Sequence, residues 1–367
     1  MFSKKLLLSI SLIAIVFVDS TYSQPADSTE RATIQLSGYV DAYYAFYTDS
    51  LGDADYQKFP SVSPRSNQFG LNSALITAQY DAEKIRGIVT LHFGDIPRCS
   101  WSGTFNNIME AHAGVRLCKT LWLDAGFFRT HFGTEGLLPK ENIASSISVP
   151  TFYEPYFESG VRLNYNPNDK LAINIYGLNG YNLYEDNNKK KSLAMLITYA
   201  LKDKGNIGYS NYIGDDTPSG DSISHIRFHN NLFFNYQVKK LKMQIGVDYC
   251  AQQNSNSHEP DKAATMYSAL AALKYQATTP FAIYARGEYI NDTEGFMTGI
   301  IVDTENRHTG VILWGATLGV EYKPTENSYV RLEGRQLQAD EAQEIFYWDG
   351  ENTSSRMEFA VNLGISF

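Results

Sequence analysis

Cysteine is scarce in this chain. There are three, Cys99, Cys118 and Cys250, among 367 residues. An odd and widely spaced set excludes a complete disulfide framework, and none of the three is expected to be structural. Charge is scarce too. Asp, Glu, Lys and Arg make up 19% of the chain, against roughly 25% in an average soluble domain. The net charge of -9 lacks the basic stripe that a nucleic-acid partner needs. Beyond the N-terminus no apolar run approaches the ~20 residues of a membrane-crossing helix. GxSxG, HExxH and phosphate-loop patterns are missing as well. No catalytic residue, cofactor or metal is therefore expected.

The N-terminus carries a targeting pattern. Lys4 and Lys5 precede an apolar and small-residue run from Leu6 to Val18, and Thr21-Tyr22-Ser23 supplies the small-x-small cleavage pattern. Residues 1–23 are read as a signal peptide and 24–367 as a single mature domain. No cysteine follows the apolar run closely, so a lipid anchor is not expected.

Aromatic residues are abundant, at 13% with Tyr 25 and Phe 20. The recurring pattern has period two, a strand whose two faces meet different surroundings. At the C-terminus Met357, Phe359, Val361, Leu363, Ile365 and Phe367 alternate with Arg356, Glu358, Ala360, Asn362, Gly364 and Ser366. Residues 225–238 and 241–249 repeat it. About sixteen such segments are expected: 33–47, 69–80, 85–94, 108–117, 121–128, 157–165, 171–179, 192–201, 205–213, 225–238, 241–249, 266–275, 281–290, 312–322, 328–336 and 357–367. Alternation is poorest in 69–80 and 205–213.

The connections alternate short and long. The short ones, such as Lys239-Lys240, hold turn formers. The long ones are rich in Gly, Ser, Asn, Asp and Pro. Short turns on one rim and long loops on the other mark a bacterial outer-membrane barrel. Backbone groups in hydrocarbon must pair within the protein, which strands achieve only in a closed sheet. The expected fold is an all-β transmembrane antiparallel barrel of about 16 strands. Its turns and both termini would be periplasmic and its long loops extracellular. Outward-register aromatics such as Tyr44, Tyr249, Tyr275, Tyr289, Trp314 and Tyr322 suit the headgroup level.

Several segments resemble the β-barrel porin-2 (OmpL-like) family, common in the Bacteroidetes. They are LSGYVDAYYAFY (36–47), NQFGLNSALITAQYD (67–81), GIVTLHFGD (87–95), SGVRLNYNPNDKLAINIYGLNGYN (159–182) and GNIGYSNYIGDD (205–216). The C-terminal strand ending on Phe367 looks like the assembly signal of outer-membrane barrels, which is read by the barrel-assembly machinery. The resemblance implies an outer-membrane porin for passive diffusion of ions and small hydrophilic solutes, embedded in lipid and open to a homotrimeric state.

In porins of this size the third long loop commonly folds into the lumen. Here it spans 129–156 and holds Arg129, His131, Glu135, Lys140 and Glu141, candidates for a constriction with a transverse field. Inward-register charges supply candidate lumen groups. They are Arg86, Glu110, Arg116, Asp124, Arg162, Arg227, Arg286, Glu288, Arg331, Glu333 and Arg335. Acidic and basic members are interleaved, so mutual pairing and weak selectivity are expected. His225 and His229 share a face with Arg227 between them, but no further ligand accompanies them. The acidic 214–221 segment lacks calcium-loop spacing. Two other readings differ in class: a plugged barrel for surface binding, adhesion or structure, and an outer-membrane hydrolase. The latter would need an outward His partnered by Ser, and none is found.

Overall fold

The computed structural model describes residues 32–49 and 55–367, so the expected signal peptide at 1–23 lies outside the described residues. The strands are β1 (Thr33–Tyr47), β2 (Gln68–Asp81), β3 (Ile85–Phe93), β4 (Ile108–Cys118), β5 (Leu121–Arg129), β6 (Phe157–Asn168) and β7 (Leu171–Leu178). They continue with β8 (Ser192–Ala200), β9 (Gly205–Asp215), β10 (Ile226–Val238), β11 (Leu241–Gln252), β12 (Ala264–Gln276) and β13 (Phe281–Asn291). Then come β14 (Ile301–Val302), β15 (His308–Thr309), β16 (Ile312–Tyr322), β17 (Ser328–Ala339), β18 (Phe346–Trp348), β19 (Glu351–Thr353) and β20 (Ser355–Ser366). Two short helices, α1 (Asp95–Ser100) and α2 (Val149–Phe152), lie in loops.

β14–β15 and β18–β19 are small hairpins within loops. The remaining sixteen strands form one closed antiparallel barrel. β1 closes it by pairing with β20, from Tyr39 against Ser366 to Tyr47 against Glu358. Closure leaves no unpaired edge, the condition a sheet must meet in hydrocarbon. Every expected strand is present. Among the described residues no helix is long and apolar enough to cross a membrane.

The two poorly alternating segments have local causes. In β2 the register against β1 shifts between Asp41 and Ala42, and Asn72 and Ser73 are buried in succession. One bulged residue switches the face of everything beyond it. In β9 the outward positions include Tyr209 and Asn211, so the outer face carries polar groups that blur the pattern.

Elsewhere the faces separate cleanly. On β13, Phe281, Ile283 and Tyr289 are exposed outward while Ala282, Tyr284, Arg286, Glu288 and Ile290 are buried inward. So broad an apolar exterior fits lipid and not water. Outward aromatics gather near both rims. The Phe281 and Tyr322 rings lie 4.9 Å apart at the short-turn rim, and Tyr267 and Tyr289 lie 6.2 Å apart at the other. The two-residue turn Lys239-Lys240 joins Val238 and Leu241, with Lys239 in the left-handed region at φ 51°. The three cysteines are free. Cys118 ends β4 at the short-turn rim, and Cys99 lies in α1 among the long loops.

Candidate functional site

The loop between β5 and β6 folds inside the barrel and is pinned to one wall. Its α2 turn is capped by Ser148, whose hydroxyl accepts from the Thr151 N–H at 3.3 Å. The carboxylate of Glu333 on β17 accepts the backbone N–H groups of Ser145 and Ser146, at 2.7 and 3.0 Å. Glu288 on β13 accepts the Val149 N–H at 2.6 Å. Arg286 donates to Glu135 at 3.1 Å and to the Ser146 carbonyl at 2.5 Å. Arg331 donates to the carbonyls of Pro139 at 2.8 Å and of Asn142 and Ala144 at 3.2 Å. It thereby serves the carbonyls in and just after a single 3-10 turn (Pro139–Glu141). On the next part of the wall, Asn231 donates to the Thr134 hydroxyl at 2.9 Å, and Gln244 donates to the Thr134 carbonyl.

These wall groups also pair with one another. Arg335 reaches both Glu288 oxygens at 2.9 Å and Glu358 at 3.3 Å. Arg331 pairs with Glu321 at 2.8 Å. Buried charges are stabilised by pairing and hydrogen bonding, and the loop backbone supplies much of that set. Arg286, Glu288, Arg331, Glu333 and Arg335 are accordingly buried beneath the loop.

The opposite wall, β3 to β7, keeps a few of its inward charges in contact with water. Arg86 lies bidentate on Asp124, at 2.7 and 2.6 Å, and Arg162 binds the same carboxylate at 3.0–3.1 Å. Asp124 itself is fully buried beneath them. Gly114 stands between Arg86 and Asp124 in the register. A side chain there would collide with the Asp124 carboxylate, so only glycine lets Arg86 cross to it. Arg116 is exposed, and its guanidinium lies 4.7 Å from the Trp122 ring centroid; that of Arg86 lies at 4.5 Å. Glu110 is partly exposed beside Thr90 and His112.

The sequence-selected loop residues divide in the same way. Arg129 and Glu141 are partly exposed and bidentate, at 2.8 and 2.6 Å. Lys140 is exposed at the loop tip, its ammonium 4.5 Å from the Tyr39 ring centroid. His131 and Glu135 are buried instead. The His131 ring nitrogens lie 2.6 Å from Glu158 and 2.7 Å from the Asn211 carbonyl oxygen. Arg227 sits apart near the long-loop rim, bonded to Gln252 at 2.8 Å and over the Tyr181 ring. Phe367 closes the seam: the Gly38 N–H donates to its carbonyl at 2.7 Å, and its ring covers Gly38.

Sequence reasoning missed Trp122 and the loop anchors Asn231 and Gln244. Trp122 was within reach, since it shares the inward register of Asp124. The anchors carry no local signal, because their partners lie far away in the chain. Also unforeseen is apolar packing at the long-loop rim. There Phe59 meets Phe152, Tyr153 and Phe346 edge-on, with centroids 5.7–6.4 Å apart. Burial, with Asp248 and Glu135 close by, holds the Glu154 carboxyl in this loop well above the ordinary carboxylate range. Among the described residues no cluster of His, Cys, Asp and Glu could hold a metal ion.

A sixteen-stranded transmembrane barrel with a loop folded against one inner wall defines the porin class of outer-membrane protein. The chain belongs to the family described as "Putative beta-barrel porin-2, OmpL-like", whose pattern it matches over residues 33–367. No curated protein sequence matches it. Its fold is similar to that of an anion-selective porin from Comamonas acidovorans, with 8% identity, TM-score 0.61, and 92% of this chain and 100% of that one covered. It is also similar to the outer membrane channel DcaP of Acinetobacter baumannii, at 11% identity, TM-score 0.60, and 92% and 97% coverage. A trimer form of OmpT from Vibrio cholerae matches at 12% identity, TM-score 0.56, and 92% and 99% coverage.

Proposed function

We propose that the protein is a passive diffusion pore for small hydrophilic solutes, narrowed by the inserted 129–156 loop. The observation that carries this is the asymmetry of the interior. One wall is sealed to the loop by buried ion pairs, while the facing wall presents Arg86, Arg116, Arg162 and Glu110 to water. Arg129, Lys140 and Glu141 on the loop side complete the constriction. Transport of this kind requires no catalysis and no cofactor.

In the same reading, residues 1–23 are a cleaved signal peptide and 24–367 form a single barrel domain. The short turns and both termini face the periplasm. Phe367 serves as the assembly signal for the barrel-assembly machinery, and the trimer seen in a relative of the same fold makes a homotrimer the state to test. The deciding experiment is single-channel conductance of the refolded mature protein in a planar bilayer. Stable ohmic steps that grow when residues 134–148 are deleted are expected. A folded but silent barrel would sink the pore.

The apolar packing among Phe59, Phe152, Tyr153 and Phe346 favours a second reading, a plugged surface-binding barrel. Silence of the intact protein, with conduction only after loop deletion, would establish that alternative.

A further inference from the structure

The chain as a whole is acidic, with a net charge of -9, yet the β3–β6 wall turns more arginine than acid toward water. Two guanidinium groups on this wall share one carboxylate, and a third, that of Arg116, stands near them. Arg86 and Arg162 converge on Asp124, and their side chains remain 24% and 20% exposed while Asp124 is at 0%. A solute on this wall meets the arginines and not the acid. Arg116 pairs with no carboxylate among the described residues and lies over Trp122 beside Arg86. Lys140, over the Tyr39 ring of β1, and Lys242, at the start of β11, also make no ion pair among the described residues. Of the reachable acids, Glu141 is already neutralised by Arg129, which leaves Glu110, partly exposed beside His112, as the acid this wall shows to water against three arginines.

Arginine offers a planar fork of donors that fits carboxylate and phosphate oxygens, and it keeps its charge at every working pH. Low-dielectric walls focus such a potential and raise the local concentration of the opposite charge. We propose that Arg86 and Arg116, both over Trp122, form with Arg162 on the shared Asp124 an oxyanion subsite on the inner wall near the short-turn rim. This rests on the pore reading for its role: solutes bearing carboxylate or phosphate are the class the passage favours. It replaces the weak selectivity that charge interleaving alone predicts.

The test is built to separate the subsite from the pore. Asn164 lies opposite Trp122 in the register, on the next strand. Asn164→Cys is placed in a Cys118→Ser background, which removes the one exposed native thiol. The folded barrel is then modified with anionic sulfonatoethyl and cationic trimethylammonioethyl methanethiosulfonates. The anionic reagent is expected to react about tenfold faster, after correction for their rates with a free thiol. Arg116→Gln should reduce that preference several-fold. Inorganic phosphate and acetate, added separately, should each slow the anionic reagent, and the stronger of the two identifies which oxyanion the subsite prefers. Equal rates, or a preference that Arg116→Gln leaves unchanged, would overturn the subsite. Asn174→Cys, the next residue across in the register, repeats the measurement should the first variant not fold. A bilayer experiment then reads the pore: chloride preference over potassium is expected. Potassium preference overturns the proposed solute class. An anionic rate preference in a barrel that never conducts supports the subsite and overturns only the pore.

Discussion

Glu333 holds the inserted loop by two consecutive amides, the N–H groups of Ser145 at 2.7 Å and Ser146 at 3.0 Å. The same carboxylate accepts from the Tyr284 hydroxyl at 2.9 Å. One wall side chain thus fixes the backbone of a segment 187 residues away in sequence. Replacing it by alanine leaves two buried N–H groups and the hydroxyl unpaired. Leaving a buried donor without its acceptor costs about 1–3 kcal/mol. Glu333→Ala is therefore expected to free residues 139–149, which limited proteolysis of the folded barrel would detect as new cleavage there. Unchanged protease resistance would show that the other anchors suffice.

Gly114 admits the Arg86–Asp124 pair by having no side chain. Gly114→Val forces both partners aside, and overpacking of this kind costs about 1–3 kcal/mol. The expected outcome is a lower urea midpoint with an intact barrel. A midpoint equal to the parent's would mean that Arg86 reaches Asp124 by another path.

Glu154 gives the loop a pH dependence whose sign follows from its raised pKa. Burial is the main cause, with the Asp248 and Glu135 charges adding to it. A carboxyl held above its ordinary value is protonated in the folded protein while the unfolded chain has already released its proton. Its stabilising contribution is complete below the ordinary value of 4.5 and is lost as pH rises through the folded value. One such proton gives a slope of at most about 1.4 kcal/mol per pH unit. Glu154→Gln should flatten the fall in stability as pH rises above the ordinary carboxylate value, followed by the urea midpoint. A slope identical to the parent's would remove Glu154 as its source.

Phe367 completes the β1–β20 seam, its ring over Gly38 and its backbone bonded to it in both directions, at 2.7 and 3.1 Å. Deleting Phe367 is expected to lower the yield of assembled barrel in cells, seen as heat-modifiable protein in the outer-membrane fraction. The refolded protein should lose little stability, since one terminal residue leaves the β1–β20 pairing in place. Normal yield in cells would argue against Phe367 as the assembly signal.

The strands were legible in the sequence because a strand in lipid writes its two environments onto alternate residues. The alternation from Met357 to Phe367 reads directly as the outward and inward faces of β20. It was weakest where a local feature breaks it, at the Asn72 bulge and the outward Tyr209 and Asn211. The loop's insertion followed only from resemblance. Its anchors Glu333, Glu288 and Arg331 looked like ordinary lumen charges.

The sequence by itself determined which residues face inward, how many strands there are and how the loops sort between the rims. Those properties depend on neighbours one or two residues apart. Only the tertiary structure decided that Arg286 and Arg335 are sealed beneath the loop while Arg86, Arg116 and Arg162 stay in water. The reason is geometric. Periodicity tells which face a side chain takes, but barrel closure and the path of one loop decide which inward charges find a partner.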